Sequence, residues 1–267
     1  MAARFADRLD RIGRSAVDAV SEFGLGATLL LQSVKWILVG HRQAQPVRVA
    51  ATFARCMEVG IQAIPIITLM SLTIGMMLAI QAIYTLRVFG AEDQVVLGIG
   101  MAVPREFAPI FTGILVAGRT GSSLAARIGT MRMNQEIDAL QVMGINPVRF
   151  VVTPALIAMA IMVPTLTFWS GVVMLTGAGW YVGVDLGMSW AAYIERLREV
   201  VKVGDVWHGV NKSFLFGILI TLVGCINGAL VTGGAEGVGK MTTRSVVLSI
   251  CAIIVTDMIF AFIATRS

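Results

Sequence analysis

Four long apolar runs restrict this chain more than any other feature of its sequence. Residues 59–86, 150–184 and 213–235 contain no charged residue, and residues 245–265 contain only Asp257. Each run exceeds the ~20 residues that an α-helix needs to cross the hydrocarbon core of a bilayer. Because backbone groups in lipid must be satisfied internally, such runs fold as membrane-spanning helices. The sequence therefore predicts an all-α integral membrane protein.

The composition agrees with this fold class and excludes most soluble functions. Of the 267 residues, 57% are hydrophobic and 14% are charged, whereas soluble domains carry about 25% charged residues. The net charge of +5 is not concentrated beside aromatic platforms, so no nucleic-acid partner is predicted. The cysteines, Cys56, Cys225 and Cys251, lack paired spacing, and His41 and His208 lie far apart. Neither disulfides nor a metal site is expected.

A fifth span is predicted between residues 95 and 118, where Arg105 and Glu106 interrupt the apolar pattern. The uninterrupted part is too short to cross alone, so we expect a helix that begins near Pro104 and extends towards residue 126. Small residues spaced four apart, as in Ser71 and Gly75, predict close packing between spans.

Two further segments have a predicted shape. The run 150–184 contains Pro164 and several glycines, which predicts a kinked span with a glycine-rich exit. Residues 185–212 would then be an external connection. Its aromatic residues and those just before it suit a membrane interface; they are Trp180, Tyr181, Trp190, Tyr193 and Trp207.

The N-terminal region, residues 1–58, is predicted to be amphipathic and interfacial. In residues 1–22, arginines flank an apolar helical face, which is typical of a helix on the membrane surface. Residues 23–40 are apolar apart from Lys35 and either span the membrane or lie in its interface. If they do not span and the N-terminus is cytoplasmic, the inside carries twice as many Lys and Arg residues as the outside. This distribution favours five spans.

A polar island at residues 118–147 separates the second predicted span from the third. Within it, Met133, Ile137, Leu140 and Gly144 share one helical side and polar residues occupy the other. This pattern predicts an amphipathic helix over about residues 130–144, with Thr130 at its start and Gly144 at its end. Its stripe is too short to form a core. It is an ordinary surface helix, a helix along the membrane surface or, as we prefer from its acidic face, a helix that docks in another protein's groove.

The run GRTGSSLAARIGTMRMNQEIDALQVMGINP, with Arg149 and Thr153-Pro154 after it, resembles the signature of the MlaE/YrbE family. These proteins are the permease subunits of Mla- and Mce-type lipid ABC transporters. The resemblance extends from about Pro46 to the C-terminus and implies a permease domain over residues 59–267. It also implies that the polar island is the coupling helix that docks on a cytoplasmic ATPase. The implied contact residues are Arg132, Met133, Glu136, Ile137, Asp138, Leu140, Met143 and Gly144.

The same resemblance implies partners and a location. It implies a homodimer in the bacterial inner membrane with the N-terminus in the cytoplasm, two copies of a cytoplasmic ABC ATPase, a periplasmic Mce-domain protein and a small regulatory subunit on the ATPase. ATP and Mg would be used by the ATPase. This chain would bind no cofactor of its own, since its run 234–241 resembles a phosphate-binding loop but has Met241 at the hydroxyl position and follows a helix.

Charged residues near the predicted outer side are the candidates for a lipid pathway. Arg105 and Glu106 are adjacent, so they diverge by about 100° on a helix and cannot simply pair with each other. Lys212, at the outer start of the next-to-last predicted span, could meet Glu106 or a lipid phosphate. Asp257 lies well inside a span and needs protein or water around it. The resemblance implies a lipid cavity near the first three; each residue could also be only an anchor or a helix-to-helix contact.

Two other functions compete with a permease subunit of an ABC transporter. A stand-alone secondary transporter or channel for an amphiphilic solute would need a relay of intramembrane charges or an inverted repeat, and only Asp257 is central. A membrane scaffold for a peripheral enzyme would need only the polar island.

Overall fold

The structure is a computed structural model that describes the backbone of residues 2–40 and 48–264. Before residue 20 it describes the side chains of residues 13 and 17 only. The arginines of the face predicted for residues 1–22, and His41, therefore lie outside the described side chains. Throughout the described ranges the regular structure is helical, which confirms the all-α fold class.

Six helical stretches in the described ranges are long and apolar enough to cross a membrane. They are Val20–Val39, Val49–Val88, Glu92–Met133, Val148–Leu186, Val203–Ala229 and Gly234–Ala264. The last five correspond to the five predicted spans, which are confirmed as helices, although the run 213–235 leaves its helix at Ala229. The α-helices of the described chain are α1 (Ala2–Val39), α2 (Val49–Val59), α3 (Ile64–Val88), α4 (Val95–Ala102), α5 (Ala108–Val116), α6 (Ser122–Met133), α7 (Glu136–Val142), α8 (Thr153–Leu186), α9 (Trp190–Val200), α10 (Val203–Ala229) and α11 (Gly234–Ala264).

Within the N-terminal region, Ala2–Val39 form one continuous helix, α1, whose second half supplies the sixth candidate span. Only 11% of the apolar stretch in this candidate span is buried, so the helix lies against the periphery of the bundle. The Glu22 carboxylate accepts a hydrogen bond of 2.7 Å from the Arg244 guanidinium on α11. The Arg149 guanidinium lies 5.5 Å from the centre of the Trp36 ring. By length and composition α1 could span the membrane. The described chain therefore has six candidate spans where the sequence favoured five.

The stretch Glu92–Met133 differs from the prediction, because no helix begins at Pro104. Instead α4, α5 and α6 continue into one another through two π-helical segments, Val103–Phe107 and Ala117–Gly121. Proline has no N–H to donate, and a π turn accommodates the lost hydrogen bond inside a continuous helix. The N–H of Ala108 donates to the Val103 carbonyl, five residues earlier. A third π segment, Val148–Val152, leads into α8.

Helix α8 also differs from the prediction, since the glycine-rich exit is part of the helix. It runs for 34 residues with Pro164 inside it and ends at Gly187, whose φ is +65°. A Cβ at Gly177 would stand 2.6 Å from the Leu72 carbonyl oxygen on α3, and one at Gly179 would overlap the Tyr193 ring. These glycines therefore permit close packing and do not end the span.

The segment predicted as an external connection, residues 185–212, contains helix α9 and the first turns of α10. Tyr193 on α9 is buried, and its hydroxyl donates a hydrogen bond of 2.8 Å to the Leu175 carbonyl on α8. Burial raises the pKa of the Tyr193 hydroxyl. Its assignment to an interfacial belt was wrong, whereas Trp180, Trp190 and Trp207 are exposed, as such a belt requires.

The predicted close packing through small residues is confirmed. Gly75 lies against α8 so tightly that a Cβ there would come within 2.0 Å of the Met174 carbonyl oxygen. One turn earlier, the hydroxyls of Ser71 and Ser170 are 2.8 Å apart. Helix α10 packs in the same way along the Glu92–Met133 stretch, with Gly209 against the Pro104 carbonyl and Gly228 against the Ala125 carbonyl.

The spans alternate in direction, which defines two ends of the bundle. We call the end that carries residues 134–147 the coupling end. Arg48 lies over the Phe150 ring there, 5.2 Å from its centre. At the opposite, far end, the Arg87 guanidinium donates to Asp185 at 2.6 Å. Helices α3, α8 and α11 run from the coupling end to the far end. The Glu92–Met133 stretch and α10 run back in the opposite direction.

Gly75→Ala should destabilise the bundle, because the added methyl group must separate α3 from α8. Overpacking of this kind costs about 1–3 kcal/mol. The measurement is the midpoint of thermal unfolding in detergent. Gly98→Ala on α4 is the control, since its Cβ would meet nothing within 4 Å. Equal midpoints for the two variants would contradict the close approach of α3 and α8.

Candidate functional site

A buried lysine on α10 joins three helices in the far half of the bundle. The Lys212 side chain is 0% exposed. Its ammonium donates to the Glu106 carboxylate at 2.6 Å and to the Asp257 carboxylate at 2.8 Å. Glu106 lies in the π segment Val103–Phe107 and Asp257 on α11. The structure thus brings together three of the four predicted lipid-pathway residues and supplies the partner of Asp257 that the sequence did not reveal.

Lys212 is enclosed because α10 begins earlier than predicted. The sequence placed Lys212 at the outer start of a span, but the helix begins at Val203. Asp205 stabilises that start, since its carboxylate accepts a hydrogen bond of 3.1 Å from the Lys202 N–H. Lys212 is therefore more than two turns inside the helix. A buried ammonium must be paired, and both carboxylates lie on other helices.

The fourth predicted residue, Arg105, has a separate partner. Its Nε donates to the Asp205 carboxylate at 2.7 Å. Asp205 and Lys212 are seven residues apart, two turns along one face of α10. Arg105 and Glu106 are adjacent in the π segment but bind different residues of α10. Arg105 pairs with Asp205 and Glu106 with Lys212, which agrees with the prediction that the two side chains point in different directions. The sequence analysis missed Asp205; the enrichment of Asp and Glu in the first turn of a helix is the signal that could have found it.

The network is unbalanced in charge. Arg105 and Lys212 face three carboxylates, those of Glu106, Asp205 and Asp257. The imidazole of His208 lies one turn before Lys212, with its ring edge-on to Phe260 at 5.8 Å and its Nε2 buried without a hydrogen bond. The described residues contain no group of three His, Cys, Asp or Glu side chains that could hold a metal ion.

The polar island forms a shorter and more broken element than the predicted helix 130–144. Helix α6 runs on to Met133, a turn with Gln135 at φ +58° follows, and α7 covers Glu136–Val142. Thr130 does not cap a helix, because it lies inside α6 and its hydroxyl donates to the Ala126 carbonyl. The predicted C-terminal end is confirmed: Gly144 has φ +73° and its N–H donates to the Gln141 carbonyl.

The apolar stripe of α7 packs against this chain. Leu140 is 8% exposed, and Ile137 packs against the core formed by α6 and α8. Val142 and Met143, by contrast, are 89% and 64% exposed. Val142 was not among the predicted contact residues, whereas Met143 was. The other predicted contact positions outside Ile137 and Leu140 are also exposed; they are Arg132, Met133, Glu136, Asp138 and Gly144. A seven-residue helix is held in place by Ile137 and Leu140 and presents its remaining surface to solvent.

Comparisons of the sequence with known proteins find related membrane permeases. The sequence profile described as Permease MlaE matches residues 52–263. A probable ABC transporter permease protein of Synechocystis sp. is 34% identical over 71% of this chain and 72% of its own length. The intermembrane phospholipid transport system permease protein MlaE of Haemophilus influenzae is 32% identical over 76% of this chain and 78% of its own length. A probable ABC transporter permease protein of Rickettsia typhi is 28% identical over 92% and 93%.

The fold and the paired charges within it define a class, the multi-pass helical membrane proteins that carry polar groups between their spans. Within that class the profile match covers most of the chain. The chain belongs to the MlaE permease family, which confirms the resemblance drawn from the polar island.

Lys212→Met should destabilise the protein, because it leaves the Glu106 and Asp257 carboxylates facing each other without a cation. Breaking a buried ion pair by removing one partner costs about 3–5 kcal/mol. The measurement is the midpoint of thermal unfolding in detergent, with the exposed Lys240→Met as control. Adding Glu106→Gln and Asp257→Asn to Lys212→Met should recover most of the loss. An unchanged midpoint for Lys212→Met alone would contradict the network.

Proposed function

We propose that this chain is the permease subunit of an ABC transporter that moves phospholipid, or a related lipid, between the bacterial inner membrane and a periplasmic Mce-domain partner. Two copies form a homodimer, and two copies of a separate cytoplasmic ATPase use ATP and Mg to drive it. A small regulatory subunit accompanies the ATPase. In this proposal the chain carries no nucleotide site or catalytic residue of its own.

The observation that carries the proposal is the exposed segment around α7. Val142 and Met143 are apolar and open, and the acidic side chains of Glu136 and Asp138 lie beside them. An exposed apolar pair within an acidic surface suits a protein groove better than anionic lipid headgroups. Because Ile137 and Leu140 fix α7 to the bundle, movement of a partner there would be transmitted to α6 and α8.

Membership of the family and the names of relatives support a lipid cargo. The Haemophilus influenzae relative is named a phospholipid transport permease. The spans of this chain carry few polar groups with which to bind a hydrated solute, whereas an amphiphile needs only a headgroup contact and an apolar surface. We assign Arg105, Glu106, Lys212 and Asp257 to the lipid pathway in the far half. The Arg105 side chain is 44% exposed, so it is the more accessible of the two cations there.

A stand-alone secondary transporter is the second candidate, because Lys212 with two carboxylates is the kind of group that ion-coupled carriers use. The two candidates differ in one requirement. A permease subunit needs an ATPase bound at the coupling end, and a secondary transporter does not.

Glu136→Arg should reduce co-purification of a nucleotide-binding subunit by about tenfold or more, since it reverses a charge in the proposed docking surface. The amount of co-purified subunit and its ATP hydrolysis are measured together. Glu195→Arg is the control, because it makes the same change on an exposed position of α9. If the isolated chain moves lipid between vesicles without ATP, and Glu136→Arg changes nothing, the secondary transporter is the better account.

A cysteine at Gln141 should resist a membrane-impermeant thiol reagent in intact cells and react after permeabilisation, because the coupling end carries the excess of basic residues. The background lacks the three native cysteines. Glu195→Cys, at the far end, should react in intact cells and serves as the control. Labelling of position 141 from outside would invert the topology and remove the ATPase from reach.

A further inference from the structure

A second polar site lies in the opposite half of the bundle from Lys212. A cavity of about 240 Å³ opens between α2, the turn at Ile61–Ala63, the π segment Ala117–Gly121, α6 and α8. Val59, Leu124 and Met159 form its apolar part. Its charged and polar lining residues are Arg55, Glu58, Gln62, Arg119, Thr120 and Ser123.

Arg119 is the central group of this cavity. Its guanidinium donates to the Glu58 backbone carbonyl and to the Gln62 side-chain oxygen, each at 3.2 Å. Both acceptors are neutral, and among the described residues no carboxylate lies within 4.0 Å of Arg119. The Glu58 carboxylate is already paired with Arg55. The cavity therefore holds a guanidinium without a counter-charge.

Arg119 lies at the boundary of the apolar bundle and is half-buried. Its acceptors Glu58 and Gln62 lie where the uncharged run of residues 59–86 begins. The other lining residues come from the coupling halves of their own spans. A cation at this level pairs with protein, water or a ligand, and a guanidinium without a carboxylate partner favours an anionic ligand.

The remaining polar groups identify the anion. Among the described residues, the hydroxyls of Thr120 and Ser123 have no hydrogen-bond partner within the protein, and Ser123 is exposed at the mouth. A guanidinium with two hydroxyl donors matches a phosphate group, whose non-bridging oxygens accept several hydrogen bonds at once. The volume is below the range for whole drug-sized ligands. It holds a headgroup, and the acyl chains stay outside among the apolar helix faces.

We propose that this Arg119 cavity binds the phosphodiester of a glycerophospholipid from the half of the bilayer at the coupling end. As a step on a transport route this rests on the proposed function, but binding itself does not require an ATPase or a periplasmic partner. Arg119 contacts the phosphate, Thr120 and Ser123 donate to it, and Gln62 keeps the guanidinium in position. The lipid enters this cavity separately from the Lys212 network.

Binding is measured on the purified full-length chain, with the subunits that accompany it, by titration in detergent. The probes are dihexanoyl phosphatidylglycerol, inorganic phosphate and dihexanoyl glycerol, which lacks the phosphate. We expect the phosphatidylglycerol to bind at least tenfold more tightly than either other probe. Arg119→Gln should weaken that binding by at least tenfold, Arg119→Lys less, and Ser123→Ala by a few fold. Arg127→Gln is the matched control, because Arg127 is exposed on α6 outside the cavity.

Three results would overturn the proposal. Equal affinity for inorganic phosphate would make this a site for a free anion, and equal affinity for dihexanoyl glycerol would make it an acyl-chain site. Unchanged binding in both Arg119→Gln and Ser123→Ala would remove the cavity from the binding site. Size-exclusion profiles identify any variant that does not fold, and Ser123→Ala, at an exposed position, then decides. If the purified protein binds phosphatidylglycerol as expected but shows no coupling to an ATPase, that result counts against the proposed function and not against this binding site.

Discussion

The bundle depends on the pairing of one buried ammonium. Lys212 is enclosed by protein and holds Glu106 and Asp257 within 2.8 Å. An unpaired charge at that position would be far costlier than any single apolar contact around it. The requirement fixes how the π segment Val103–Phe107, α10 and α11 meet. The close approach of Gly209 to the Pro104 carbonyl lets the helices come near enough for the pair to form.

The π segments explain how charged residues are accommodated inside continuous helices. Each of the three in the described chain carries an arginine: Arg105, Arg119 or Arg149. A π turn widens the helix locally and redirects the side chains on it. In Val103–Phe107 this directs adjacent residues to two partners on α10. In Ala117–Gly121 it presents Arg119 to a cavity in the other half. The two polar sites thus arise from the same local feature at different depths.

The segment around α7 shows how a short helix can serve two surfaces. The sequence predicted an amphipathic helix and its end at Gly144, because hydrophobic periodicity and glycine at positive φ are local signals. It did not predict the break at Gln135, which allows α6 and α7 to point in different directions. Nor did it predict that Leu140 would be covered by this chain, since the receiving surface comes from residues distant in sequence.

The sequence by itself determined the class of fold, five of the spans and the family, because long uncharged runs and the polar island can be recognised without knowledge of tertiary contacts. An apolar run of about twenty residues leaves few alternatives to a membrane-spanning helix. Only the tertiary structure decided where the helices begin, whether glycines break or pack them, and which charges meet. Lys212 and Asp257 are 45 positions apart, and Glu106 and Lys212 are 106 apart. Such pairings depend on helix register and rotation, which no local pattern encodes.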